Sequence, residues 1–230
     1  MSLYFTLHLI TISFPLVRSF EYRVKYYQKW APLFKAIAIT AAFFIAWDVI
    51  FTNLGVWGFN AKYLSGIYLI NLPVEEWLFF ITVPFASIFI YENVVYFLPE
   101  GFSWTIARNI SVGLAAIILV VALFNWEKYY TFYNLTGTAI ILLFVSLYSK
   151  PRYLPHFLIA YLFVLIPFFC VNGVLTGSFI EEPVVWYNDA ENLGIRIGTI
   201  PIEDTMYGFF LLLMNVSLYE HFKSKLTIGK

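Results

Sequence analysis

Apolar residues fall in seven long runs along this chain, separated by short polar segments. The runs predict helices over Leu3–Val17, Trp30–Phe51, Glu75–Phe97, Trp104–Phe124, Tyr130–Tyr148, Leu154–Thr176 and Glu203–Phe222. A helix that crosses a bilayer needs roughly 20 mostly apolar residues, so the pattern reads as seven spans. The first run has no basic residue before it and no small-residue cleavage site after it. It is therefore expected to stay as a helix and not to be removed as a signal peptide.

Composition strengthens that picture. Of 230 residues, 61% are hydrophobic and 12% charged, with a mean hydropathy of +0.77, against about 25% charged in a typical soluble chain. So much apolar surface does not fit inside one aqueous core, and the expected fold class is an all-α integral membrane protein. The formal net charge is zero, which leaves no electrostatic footprint for nucleic acid. Lys and Arg near helix ends mark the cytoplasmic side. One alternation of the helices puts Arg18, Arg23, Lys25, Lys29, Lys35, Arg108, Lys150, Arg152, Lys223, Lys225 and Lys230 on one face, and only Lys62, Lys128 and Arg196 on the other. This predicts a multi-pass protein of the cell's cytoplasmic membrane, with the N-terminus outside and the C-terminus inside.

The chain also resembles itself. Pro73-Val74-Glu75-Glu76 lies over Pro201-Ile202-Glu203-Asp204 at an offset of 128 residues, and the same offset pairs Tyr91-Glu92 with Tyr219-Glu220 and Asn60 with Asn188. At a slightly shorter offset, Val49-Ile50-Phe51-Thr52 faces Gly173-Val174-Leu175-Thr176. Helices one to three thus repeat as helices five to seven. The fourth helix restores the starting orientation, making the repeats parallel. The expected organisation is 3+1+3: a first repeat over 1–100, a linker helix over 101–127 and a second repeat over 128–230.

Duplication singles out the acidic motifs. One copy reads as a capped helix start, because proline tolerates the first helical turn and the helix dipole stabilises acids there. Two copies at equal depth, each with two adjacent acids, point to chemistry, with Glu75, Glu76, Glu203 and Asp204 as candidate catalytic residues. Neighbouring helix positions point about 100° apart, so one acid of each pair can face the bundle while the other faces a loop or a partner helix. The sequence leaves open which does which. Asp48, and Asn172 at the matching place in the second repeat, should approach the motifs as supporting residues. An ionisable group inside a span marks function by default, whereas Asn172 reads more simply as a polar bridge between helices. Glu92 and Glu220 sit near the inner helix ends. Glu92 lies roughly 25 Å along the helix from Glu75, so these two carry a structural or gating role in place of a share in the same cluster.

Aromatic residues make up 21% of the chain. Trp77, Phe79, Phe80, Phe85, Phe89, Tyr91 and Tyr96 all fall on the third helix, and such rings either pack the bundle or shield a carbocation through cation–π attraction. Pro84 and Pro167 should each cost a helix a backbone hydrogen bond. Dinucleotide, P-loop, HExxH and DDxxD motifs are absent. The three histidines and the lone Cys170 offer no metal site and no disulfide, so neither cofactor nor metal is expected. A retinal-binding rhodopsin would need a lysine midway along its last helix, and here the nearest, Lys223 and Lys225, lie beyond its end.

The segments LPVEEWLFFITVPFASIFIYE (Leu72 to Glu92) and IPIEDTMYGFFLLLMNVSLYE (Ile200 to Glu220) resemble the paired signatures of the heterodimeric-type lycopene cyclases, here in a fused form, over nearly the whole chain. The resemblance implies a non-redox lycopene β-cyclase of carotenoid biosynthesis, without cofactor, that turns the acyclic ends of lycopene into the β-ionone rings of γ-carotene and β-carotene. The partner it implies is a lipid-phase carotenoid. Association with other enzymes of the pathway is compatible with it, and the oligomeric state stays open. Two other classes fit the layout: a small-solute transporter built on the same 3+1+3 plan, and a carotenoid-binding membrane protein that does no chemistry.

Overall fold

The computed structural model describes residues 2–149 and 151–228, with side chains described as far as 225. Lys150 and Lys230, both counted toward the cytoplasmic face, lie outside the described residues. The described residues form seven α-helices: α1 (Leu3–Arg18), α2 (Trp30–Asn53), α3 (Val74–Phe97), α4 (Trp104–Phe124), α5 (Tyr129–Leu143), α6 (Leu154–Leu175) and α7 (Ile202–Ile228). These are the expected seven, with ends within a few residues apart from the longer C-terminal end of α7. A π-helical turn, Phe144–Ser149, prolongs α5. Among the described residues, five segments are long and apolar enough to cross a membrane: Tyr26–Asn53, Val74–Phe97, Trp104–Phe124, Tyr129–Ser149 and Leu154–Leu175. Helix α1 is apolar but shorter, at 16 residues. Helix α7 is not among the five; it opens on Glu203 and Asp204 and carries Lys225 in its last turn.

The packing is reciprocal. Within each half the first helix lies against the third, α1 on α3 and α5 on α7, while α2 runs along α7 and α6 along α3. Helix α4 packs mainly on α5. Toward their C-terminal ends α3 and α7 are tied by crossed bonds, in which the Tyr91 hydroxyl donates to Glu220 at 3.0 Å and the Tyr219 hydroxyl to Glu92 at 2.6 Å. Glu92 is 1% exposed and also pairs with Lys29 and with Lys223. These bonds lie well along both helices from the acidic motifs.

The helical pattern alone did not foresee strand pairing in the loops before α3 and α7. Strand β1 (Trp57–Phe59) pairs antiparallel with β4 (Val185–Tyr187), with Gly58 opposite Trp186. These two residues are themselves 128 apart. The Asn60 N–H donates to the Val184 carbonyl at 2.8 Å and the Asn188 N–H to the Val56 carbonyl at 2.9 Å, bonds that also map onto each other at that offset. A Cβ on Gly58 would come within 2.3 Å of the Trp186 ring, so only glycine lets the ribbon close. Two small hairpins follow, β2 (Tyr68–Leu69) with β3 (Leu72–Pro73) and β5 (Arg196–Ile197) with β6 (Ile200–Pro201). Pro73 and Pro201 end these hairpins and stand just before the helices instead of inside the first turn. Proline suits that place because each ends a short strand whose following residue begins the helix.

Candidate active site

Each hairpin delivers an acidic pair into the first turn of a long helix, Glu75 and Glu76 in α3 and Glu203 and Asp204 in α7. The structure separates the two members of each pair. Glu75 is fully buried and accepts from the Ser65 N–H at 2.6 Å and the Ser2 hydroxyl at 2.7 Å. Glu203 accepts from the Leu193 N–H at 2.7 Å and the Thr131 hydroxyl at 2.7 Å. Both first acids therefore hold a loop and the start of a neighbouring helix. Neither lines the cavity described next.

The second acids do. A cavity of about 590 Å³ lies between α1, α3, α6 and α7, capped on one side by the β1–β4 ribbon, and Glu76, Asp204 and Asp48 all line it. Both Asp48 and Asp204 are close enough to Glu76 to act on it electrostatically. The Tyr4 hydroxyl donates to Glu76 at 2.7 Å. Asp204 receives three donors: the Tyr130 hydroxyl at 2.5 Å, the Asn172 amide at 2.8 Å and the Tyr187 hydroxyl at 2.9 Å. Asp48 is held by the Trp57 indole N–H, with Thr52 at 3.5 Å, and its Oδ2 has no partner among the described residues. Burial, and after it the nearby Asp204, push the Tyr187 hydroxyl well above the usual phenol range. It therefore stays a proton donor toward that carboxylate at neutral pH.

The rest of the lining is mostly apolar and aromatic. Tyr130 stacks on Tyr187 with centroids 5.8 Å apart, and Trp57 meets Tyr130 edge-on at 5.2 Å. Tyr207, Tyr161, Phe168, Phe79 and Phe89 continue the wall. Of the aromatic residues expected on the third helix, Phe79 and Phe89 face the cavity and Phe80 and Phe85 pack into the core, while Tyr96 is exposed. Pro167 also lines the cavity, and Pro84 is buried within α3. Asn172 bridges α6 to α7 through its amide hydrogen bond to Asp204. Glu92 and Glu220 do not line this cavity.

Sequence reasoning missed Tyr4, Trp57, Tyr130, Tyr187 and Tyr207. Trp57 and Tyr187 sit in loops, where nothing in the helical periodicity marks them. Tyr4 and Tyr130 could have been found, since they occupy the same turn of α1 and α5, 126 residues apart.

Several cavity-lining residues are at the same time exposed: Ile10 and Phe14 on α1, and Ile166 and Cys170 on α6. The cavity thus opens sideways between these two helices. Away from the three carboxyl groups its wall is mostly apolar. No curated protein and no solved structure matches the chain. The family model described as lycopene cyclase matches residues 1–94 and 127–222, which takes in both acidic motifs and every helix except α4. On that match, the chain belongs to the lycopene cyclase family.

Proposed function

We propose that this lycopene cyclase forms β-rings by acid–base chemistry between Glu76 and Asp204, with Asp48 in support. The observation that carries the reading is one aromatic-walled cavity into which each half of the chain projects a carboxyl group. Glu76, with a single hydrogen-bond donor, is built to carry a proton. Asp204, with three donors, is built to hold a negative charge, since donors to a carboxylate favour its ionised form. Glu76 protonates the terminal double bond of lycopene, and the resulting cation is attacked by the neighbouring alkene, which closes the ring. Asp204 then removes a proton from the ring carbon beside the new cation, giving the β double bond. One proton enters and one leaves, so the reaction is an isomerisation that needs no redox cofactor.

The walls of Tyr130, Tyr187, Trp57 and Tyr207 stabilise the cation and keep water from quenching it. Glu75 and Glu203 position the motif by holding the loops. The acids keep their depth because the chain is two parallel three-helix repeats joined by α4, with all seven helices in the cytoplasmic membrane and the acidic ends outside. Heterodimeric-type relatives would carry the same halves on separate chains.

The test is co-expression with lycopene-forming enzymes followed by pigment analysis. Wild type should convert lycopene to γ-carotene and β-carotene, and Glu76→Gln and Asp204→Asn should each lose about 100-fold or more in rate. Unchanged lycopene with wild type would refute the reading and leave a transporter or a passive carotenoid binder. Full activity in both variants would refute the residue assignment.

A further inference from the structure

The two halves repeat, but the space between their helices does not. The cavity lies beside α6 and α7, where Gly208 faces Phe168. The matching positions in the first half are Phe80, 128 residues before Gly208, and Phe44, 124 residues before Phe168. Both of these rings are buried, with centroids 6.3 Å apart. Phe210 completes the plug, 5.1 Å from Phe44. A Cβ on Gly137 of α5 would stand 2.6 Å from the Phe210 ring, so α5 gives up a side chain to admit it. The residue at the place of Gly137 in α1 is Thr11, which lines the open cavity. Of two spaces that the repeat would make alike, one is empty and the other is packed with rings.

We propose that a polyene reaches the carboxyl groups only through the gap between α1 and α6, because Phe44, Phe80 and Phe210 close the counterpart gap, so Glu76 and Asp204 cannot exchange roles. This rests on the cyclase reading above. The exposed cavity residues Ile10, Phe14, Ile166 and Cys170 mark the two sides of the gap. A single entrance admits one end of the molecule at a time. A product with two rings must therefore pass through a one-ring intermediate that leaves, turns and re-enters. Gly208 is the specificity-determining residue, since its missing side chain keeps the passage open.

Cys170 gives a direct probe. The full-length protein in phospholipid vesicles is treated with pyrenyl maleimide, with and without lycopene in the bilayer, and lycopene consumption is followed before and after labelling. Lycopene should suppress labelling. Complete labelling should cut turnover about 100-fold by blocking alignment of the reacting end, and Gly208→Phe should do the same. In the unlabelled protein, γ-carotene should build up in the bilayer before β-carotene. Fully labelled protein that cyclises at the wild-type rate overturns the proposal even if Gly208→Phe fails to fold. So does β-carotene formed with no free one-ring intermediate. Protection of Cys170 without any cyclisation leaves the entrance standing and refutes the cyclase reading.

Discussion

The Tyr4 hydroxyl donates to Glu76 at 2.7 Å, and the Tyr130 hydroxyl makes the matching bond to Asp204 at 2.5 Å. The two bonds are equivalent in place and unequal in consequence. Tyr4 is the one donor to Glu76 among the described residues, whereas Tyr130 shares Asp204 with Asn172 and Tyr187. Tyr4→Phe should therefore lower cyclisation about ten-fold or more, and Tyr130→Phe should cost less, because two donors remain to Asp204 and a typical neutral-to-charged hydrogen bond is worth about 1.5–3 kcal/mol. Initial rates of lycopene loss in vesicles check this. Equal losses would show that the donor count does not separate the two acids.

The adjacent acids Glu75 and Glu76 should separate by assay. Glu75→Gln weakens the bonds to Ser65 and Ser2 and should lower stability by about 1.5–3 kcal/mol, with turnover per folded molecule largely kept. Glu76→Gln should leave stability near wild type and abolish turnover. Thermal unfolding in detergent beside product analysis distinguishes them, and an inactive but fully stable Glu75→Gln protein would place Glu75 in the chemistry.

Glu92 bonds with Lys29, Lys223 and Tyr219 toward the C-terminal end of α3, well along the helix from Glu75 and Glu76 at its start. Removing one partner of a buried ion pair costs about 3–5 kcal/mol. The two lysines are 28% and 30% exposed, so Glu92→Ala should fall near the lower end of that range. Its ratio of β-carotene to γ-carotene should match wild type, and a changed ratio would tie the Glu92 cluster to catalysis.

Ile70 has φ +61° at the first central position of its hairpin turn, where the other hairpin has Gly198 at φ +65°. A left-handed backbone costs a non-glycine residue roughly 1–2 kcal/mol, partly offset by the greater freedom of glycine in the unfolded chain. Ile70→Gly should stabilise the protein by about 0.5 kcal/mol and Gly198→Ala should destabilise it by a similar amount. A fall in melting temperature for Ile70→Gly would mean that the exposed Ile70 side chain contributes more than its backbone costs.

The sequence by itself determined the helices and the pairing of motifs. Long apolar runs have one stable form in a bilayer, and residues such as Glu75 and Glu203 are legible as a pair because a repeat preserves spacing. It also left room for one acid of each pair to turn inward, since helix geometry separates neighbours by about 100°. Which acid turns inward was decided by the loops. The Ser65 and Leu193 N–H groups capture Glu75 and Glu203, leaving Glu76 and Asp204 to the cavity. Likewise, the loop residues Trp57 and Tyr187 gained their place only when β1 met β4 across more than a hundred residues of chain. That one of the two corresponding spaces is open and the other filled was a matter of packing: whether a ring or a hydrogen stands at Phe80 or Gly208 acquires meaning only once the helices opposite them are in place.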